Sequence, residues 1–369
     1  MRNSLWVSTH MMLGEVTEMF SGNTTDTTRV WGEDVFSVML NAFQMAYPGF
    51  PTAKVPWKPN AITMVPSSHF PFAFTSASLV HDPNNAPVML VPERLTEEIK
   101  NEILRLSPEG KNVPAQIFLV GPVSQYFERE VQTIGFSTIR IGNQDPYSTS
   151  VEASQFRLTY PPPSEQGRKN AFLLSGETFE ESMFVPNYAM HQGIPVLLTE
   201  KDRIPTPVQQ FIYSRPKINI YIVGSEATIS HEVERTLHRL TDGKVVRISG
   251  TSSFDISVQF SQFFDAETRV GWNRNEKGRG DAFSFVNRRD WRLAIISGLF
   301  SHLGKHAPLL ITRSGRLPKE IKDYLLSLRP PIRRPPQPPF MHGFVFGNFD
   351  SIAYPTQIEI EESIVFPQG

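Results

Sequence analysis

The stretch "GIPVLLTEKDRIP", residues 193–205, decides how the chain is read, because its pattern occurs three times. "NAPVMLVPERLTEE" begins at Asn85 and "HAPLLITRSGRLPKE" at His306. In each, a proline leads into a short apolar run, and a few polar or charged residues lead into a helix start. Short apolar runs resemble one another by chance, so spacing is the sterner test. Pro87, Pro195 and Pro308 lie 108 and 113 positions apart. A second phrase, "IFLVG", "IYIVG" and "FVFG", ends downstream at Gly121, Gly224 and Gly347. A third precedes both: "RVWGEDVFSV" from Arg29, "RIGNQDPYST" from Arg140 and "RISGTSSFDI" from Arg247. Three landmarks in one order make the chain an internal triplication.

Within each copy helices and strands alternate. Phe36, Met39 and Phe43 fall at helical spacing after the first arginine. Strands "AITMV", "AFLLS" or "AFSFV" follow, then a helix, then "PVMLV", "PVLLT" or "PLLIT", another helix, and the strand that ends at the glycine. Thr96 and Ser230 read as helix caps and Pro318 as a first-turn proline. The strands are continuous apolar runs, which predicts parallel sheets covered by helices on both faces. The expected fold is α/β, three tandem Rossmann-like modules with doubly wound parallel sheets of three or four strands. Cutting at the arginines gives an extension 1–28 and modules 29–139, 140–246 and 247–369. The extension carries "SLWVSTHMML", too apolar to be left in water, so it is expected to dock on the third module or on a neighbouring copy.

Bulk properties narrow the function. Net charge is -1, so the whole chain carries no field suited to nucleic acid or a membrane surface. The balance is uneven: from Arg269 to Arg334 there are fifteen Lys and Arg against five Asp and Glu. That window suits either an anionic partner or an ordinary solvated rim. With no cysteine, thiolate catalysis, disulfides and cysteine metal sites are excluded. No run approaches a membrane span of about 18 apolar residues. Ser8, Thr9, His10 and Glu15 interrupt what would be the core of a signal peptide, which predicts either an intracellular or coat protein or a leader outside this sequence.

The three phrases together resemble the cell wall binding repeat 2 proteins of Gram-positive bacteria and some archaea. The second copy carries the resemblance best, with Arg140, Asp145, Tyr147 and Thr149, then Ser175, Gly176 and Phe179, then the run from Pro195 to Thr199, then Val223, Gly224, Ile229 and Ser230. The other copies depart from it, with Pro66 and Asn287 where a glycine is expected. The resemblance implies three modules about a pseudo-threefold axis, located at the cell surface or cell wall, holding an anionic secondary cell-wall polymer noncovalently. It implicates Arg29, Arg140 and Arg247, with Asp145 and Tyr147 of the opening phrase, and the runs Val88, Met89, Leu90; Val196, Leu197, Leu198; and Leu309, Leu310, Ile311. Two physical roles remain open for the arginines: bidentate donors to phosphate or carboxylate, or clamps on backbone carbonyls.

No cofactor is expected. There is no GxGxxG after a strand, no GxxxxGK[ST] and no GxSxG elbow. His302 and His306 stand four apart without a third ligand in view, and "RGD" at Arg279 is a common accident. A threefold scaffold favours presenting similar surfaces over building one asymmetric active site. The alternative to polymer binding is a structural subunit that associates with copies of itself in a sheath, filament or coat.

Overall fold

The computed structural model describes residues 23–48, 58–160, 169–330 and 340–365. The apolar run of the extension and the proline-rich stretches 161–168 and 331–339 lie outside the described residues. Three parallel four-stranded sheets make up the frame. The first holds β2 (Ile62–Pro66), β3 (Val88–Val91), β4 (Ile117–Val120) and β5 (Thr138–Ile141), in the order β3-β2-β4-β5. The second repeats it with β6 (Asn170–Ser175), β7 (Val196–Thr199), β8 (Asn219–Val223) and β9 (Val245–Ile248). The third uses β10 (Ala282–Asn287), β11 (Leu309–Thr312) and β12 (His342–Phe346), and its fourth strand is β1 (Thr27–Val30) from the other end of the chain.

The sheet and the sequence phrase are thus offset by one strand. Each arginine phrase ends the sheet of the copy before it, in one register: Arg140 beside Leu119, Arg247 beside Ile222, and Arg29 beside Val345. The part of the extension that is described docks inside the chain, with Thr27 beside Gly343, and so closes the ring.

Helices join the strands. They are α1 (Val35–Ala46), α2 (Phe70–Ser76), α3 (Glu97–Leu106), α4 (Gln125–Thr133), α5 (Pro146–Thr159) and α6 (Val185–Gln192). There follow α7 (Thr206–Tyr213), α8 (His231–Leu240), α9 (Ser253–Gln262), α10 (Trp291–His302), α11 (Lys319–Leu328) and α12 (Tyr354–Ile364). Thr96 caps α3 through its side chain, accepting from Ile99 N at 3.4 Å. Ser230 is the N-cap of α8 without a side-chain cap bond. Pro318 is itself the N-cap of α11, one place earlier than the sequence suggested, because its extended backbone (ψ 145°) breaks from helix geometry.

The modules meet through the helices that follow their first strands. In α10 every residue from Leu293 to Ser301 is buried. It packs against α6, where Gly298 leaves no room for a side chain: a Cβ there would stand 2.1 Å from Met190 Sδ. A helix apolar on all sides belongs at the centre of a molecule, and one apolar core runs through all three sheets.

Candidate functional site

The three phrase arginines do the same structural work. Arg29 is 4% exposed; its Nε donates to Gln357 Oε1 at 2.9 Å, and its Nη atoms donate to the carbonyls of Gly347, Asn348 and Ile352 at 2.8, 3.0 and 2.8 Å. The Phe349 ring lies 4.7 Å from the guanidinium carbon, and burial pulls its pKa down to about 10. Arg247 donates to Glu234 at 2.9 Å and to the carbonyls of Gly224 and Ile229 at 3.1 and 2.9 Å. Arg140 holds Glu128 at 2.7 Å and the Val123 carbonyl at 2.9 Å, with a third of its side chain in water. Each clamps the turn after the middle strand of its sheet. Gly121, Gly224 and Gly347 start those turns with φ of 72°, 137° and 103°, a region glycine enters without strain.

The implicated aliphatic residues are interior. Val196, Leu197, Leu198, Leu310 and Ile311 are 0% exposed and Leu309 is 1%. Asp145 is the N-cap of α5, accepting from Ser148 N at 2.8 Å. Tyr147 lies over Gly176, where a Cβ would meet its ring at 2.7 Å, so the glycine of the "SG" pair makes room for the aromatic of the opening phrase. Burial, with Glu177, Glu200 and Asp145 nearby, pushes the Tyr147 hydroxyl up to about 12.

In open parallel sheets, ligands bind outside the carboxyl ends of the strands. Here the three copies diverge in charge. The two residues after β2 are Ser67 and Ser68, after β6 Gly176 and Glu177, after β10 Arg288 and Arg289. The residue after β3 is Pro92, after β7 Glu200, after β11 Arg313. In the second copy the charges are satisfied internally: Arg203 holds Glu200 at 2.8 Å, and Glu177 accepts from Lys201 N at 2.9 Å. In the third, Arg288 and Arg313 stand over the Phe254 ring at 5.5 and 5.0 Å, with Arg289 and Arg316 exposed beside them. Among the described residues none of these four arginines pairs with a carboxylate. All four lie in the basic window from Arg269 to Arg334, but charge density along a chain does not say which cations a fold will pair.

A second cluster also escaped notice as a set. "VHDP", "MHQG" and "SHLG" place His81, His191 and His302 at the ends of the three central helical segments. His81 and His302 have ring centroids 5.4 Å apart, while His191 faces His306 with 3.4 Å between Nδ1 atoms. His302 and His306, four apart in sequence, thus face different partners. Burial lowers the pKa of His191 and His302 to about 3, helped by the neighbouring histidines and, respectively, by Arg274 and Arg157. Among the described residues no three His, Asp or Glu side chains gather in a way that could hold a metal ion.

This fold is a tandem array of three α/β modules. Residues 140–234 match the family model of cell wall binding domain 2 (CWB2), and the chain carries that domain. It is 26% identical over 207 residues to the amidase enhancer of Bacillus subtilis (strain 168), covering 55% of this chain and 26% of that protein. It is 23% identical over 251 residues to the N-acetylmuramoyl-L-alanine amidase LytC of the same organism, covering 67% of this chain and 45% of that one. The chain thus spans less than half the length of either relative. Among solved structures, Cwp8 from Clostridium difficile superposes with TM-score 0.71 at 21% identity, over 93% of this chain and 52% of that one. Cwp6 from the same organism gives 0.69 at 15%, over 95% and 51%. At these identities the structures establish the shared fold.

Proposed function

We propose that this chain is a non-catalytic attachment module that holds an anionic cell-wall glycopolymer at the bacterial surface, and that the carboxyl edge of its third sheet makes the contact. The observation that carries the reading is the group Arg288, Arg289, Arg313 and Arg316, exposed or half-buried cations without carboxylate partners among the described residues. Unpaired guanidiniums at strand ends, beside the N-termini of α9 and α11, offer bidentate donors to phosphate or carboxylate groups. The family match over residues 140–234 and the similarity to an amidase enhancer and to an N-acetylmuramoyl-L-alanine amidase support the setting. No helix among the described residues is long and apolar enough to cross a membrane, which is compatible with attachment through a polymer. Arg29, Arg140 and Arg247 serve this role indirectly, by fixing the turns at which each edge is built. Retention of the purified protein on isolated Gram-positive walls, before and after extraction of the anionic polymer, tests the reading. Charge reversal of Arg288 and Arg313 together should weaken retention by about 100-fold, on the basis of roughly 1.5 kcal/mol or more for each charge-assisted contact. Equal retention by the double variant at an unchanged melting temperature would refute it.

A further inference from the structure

At the amino end of the third sheet, across the length of β10 from the arginine edge, a cavity of about 440 Å³ opens to solvent. Its walls come from the end of α6 and from the connections that lead into β10 and β11. Trp272 and Tyr188 are buried in its floor, and the His191 ring lies parallel to Trp272 at 5.0 Å. Asp281, the acid of the "RGD" tripeptide, is turned inward: its side chain is 4% exposed and held by Arg274 at 3.1 Å and Arg279 at 3.6 Å. An acid so enclosed is not presented for adhesion. Arg274 is further engaged by the carbonyl of His306 at 2.8 Å. Arg279 has 44% of its side chain in water and stands 3.6 Å from Asp281 through Nε, and Lys305 is exposed with its ammonium 5.9 Å from the Phe344 ring. Three cations therefore face this cavity against a single carboxylate that two of them already share.

We propose that this cavity binds one anionic, hydroxyl-bearing molecule the size of a single sugar residue, its phosphate or carboxylate held between Arg279 and Lys305. The volume lies within the roughly 300–1,000 Å³ usual for small-ligand sites. The largely polar wall disfavours an apolar guest, and the surplus cations disfavour a neutral one. Gln192 and His306 at the rim supply groups that can both donate to and accept from hydroxyls. The site does not depend on the polymer-binding reading, because it sits at the other end of β10 and uses none of the same residues.

Calorimetric titration with glucose 6-phosphate, glucuronate, glucose and inorganic phosphate tests it. Saturable binding of the two charged sugars is expected, with glucose weaker by at least about tenfold and a similar loss in the double variant R279Q/K305Q. Both side chains are exposed and Arg274 keeps its shorter pair with Asp281, so the variant should melt close to the wild type; the indole N–H resonance of Trp272, shifting with the charged sugars, gives a readout that needs no variant. Phosphate binding as tightly as glucose 6-phosphate would overturn the sugar-sized part of the proposal. Absence of saturable binding by either charged sugar, or a double variant that binds like the wild type, would overturn the site.

Discussion

After β7 the second module places Glu200, and at the same point after β11 the third places Arg313. The strands before these residues are nearly interchangeable, "VLLT" and "LLIT", both buried throughout. One edge is acidic and closed upon itself, Glu200 held by Arg203 and Glu177 by the backbone of Lys201; the other is basic and open. Packing constrains a strand interior on every side, so the copies keep it, whereas an edge residue answers only to water and to whatever binds there. The three frames are thus alike while the charges at their edges differ.

If that division is right, damage to a feature that the copies share should unfold the molecule, and damage to an edge should spare the fold. The largest effect is expected from acid, through the histidines at the ends of the central helices. His191 and His302 titrate near 3 when folded and near 6.5 when unfolded, so between those values the unfolded chain binds more protons. Stability is then full above about pH 7, falls as pH drops from 6.5 toward 3, and loses no more to these groups below that. At pH 4.5 the two together should cost on the order of 5 kcal/mol, read as a lower urea midpoint. The groups facing them are His81, His306, Arg157 and Arg274, all cationic or able to become so, and none offsets the added charge. A urea midpoint that does not move between pH 7 and 4.5 would show that burial does not hold these histidines neutral in the folded molecule.

Next in size come the clamps. Arg29→Met should destabilise by roughly 3–5 kcal/mol, because it strips three carbonyls and Gln357 of a buried cation and frees β1 from the third sheet. Arg140→Met, at a site one-third exposed, should cost about 1 kcal/mol. Thermal unfolding of the two variants side by side sharpens the comparison, and equal losses would mean that ring closure adds nothing. Smallest is Glu200→Gln at the closed edge. Its pair with Arg203, whose side chain is 72% exposed, is screened by water, so the melting temperature should stay within a degree or two. Removing the acid frees Arg203 and should raise retention on walls slightly; a fall would mean that the second edge binds as well.

The period of the phrases, the apolar strands and the turn glycines were enough to give three parallel α/β modules, because a buried strand must be apolar along its whole length and a left-handed turn favours glycine. The phrases of the second copy likewise carry the likeness to cell wall binding domain 2, whose family model matches residues 140–234. Which sheet each arginine strand joins was not written locally. Arg29 and Val345 are neighbours across more than three hundred positions, and only closure of the ring decides that the first phrase completes the last module. The role of the arginines was open for the same reason: a guanidinium that clamps a carbonyl and one that waits for an anion are the same letter, and only the fold brings Gly347, Asn348 and Ile352 within 3.0 Å of Arg29. Arg288 and Arg313 stayed hidden within a basic window, and the three helix-end histidines among unrelated neighbours, because charge pairing and desolvation arise from the surroundings a side chain acquires when distant segments pack.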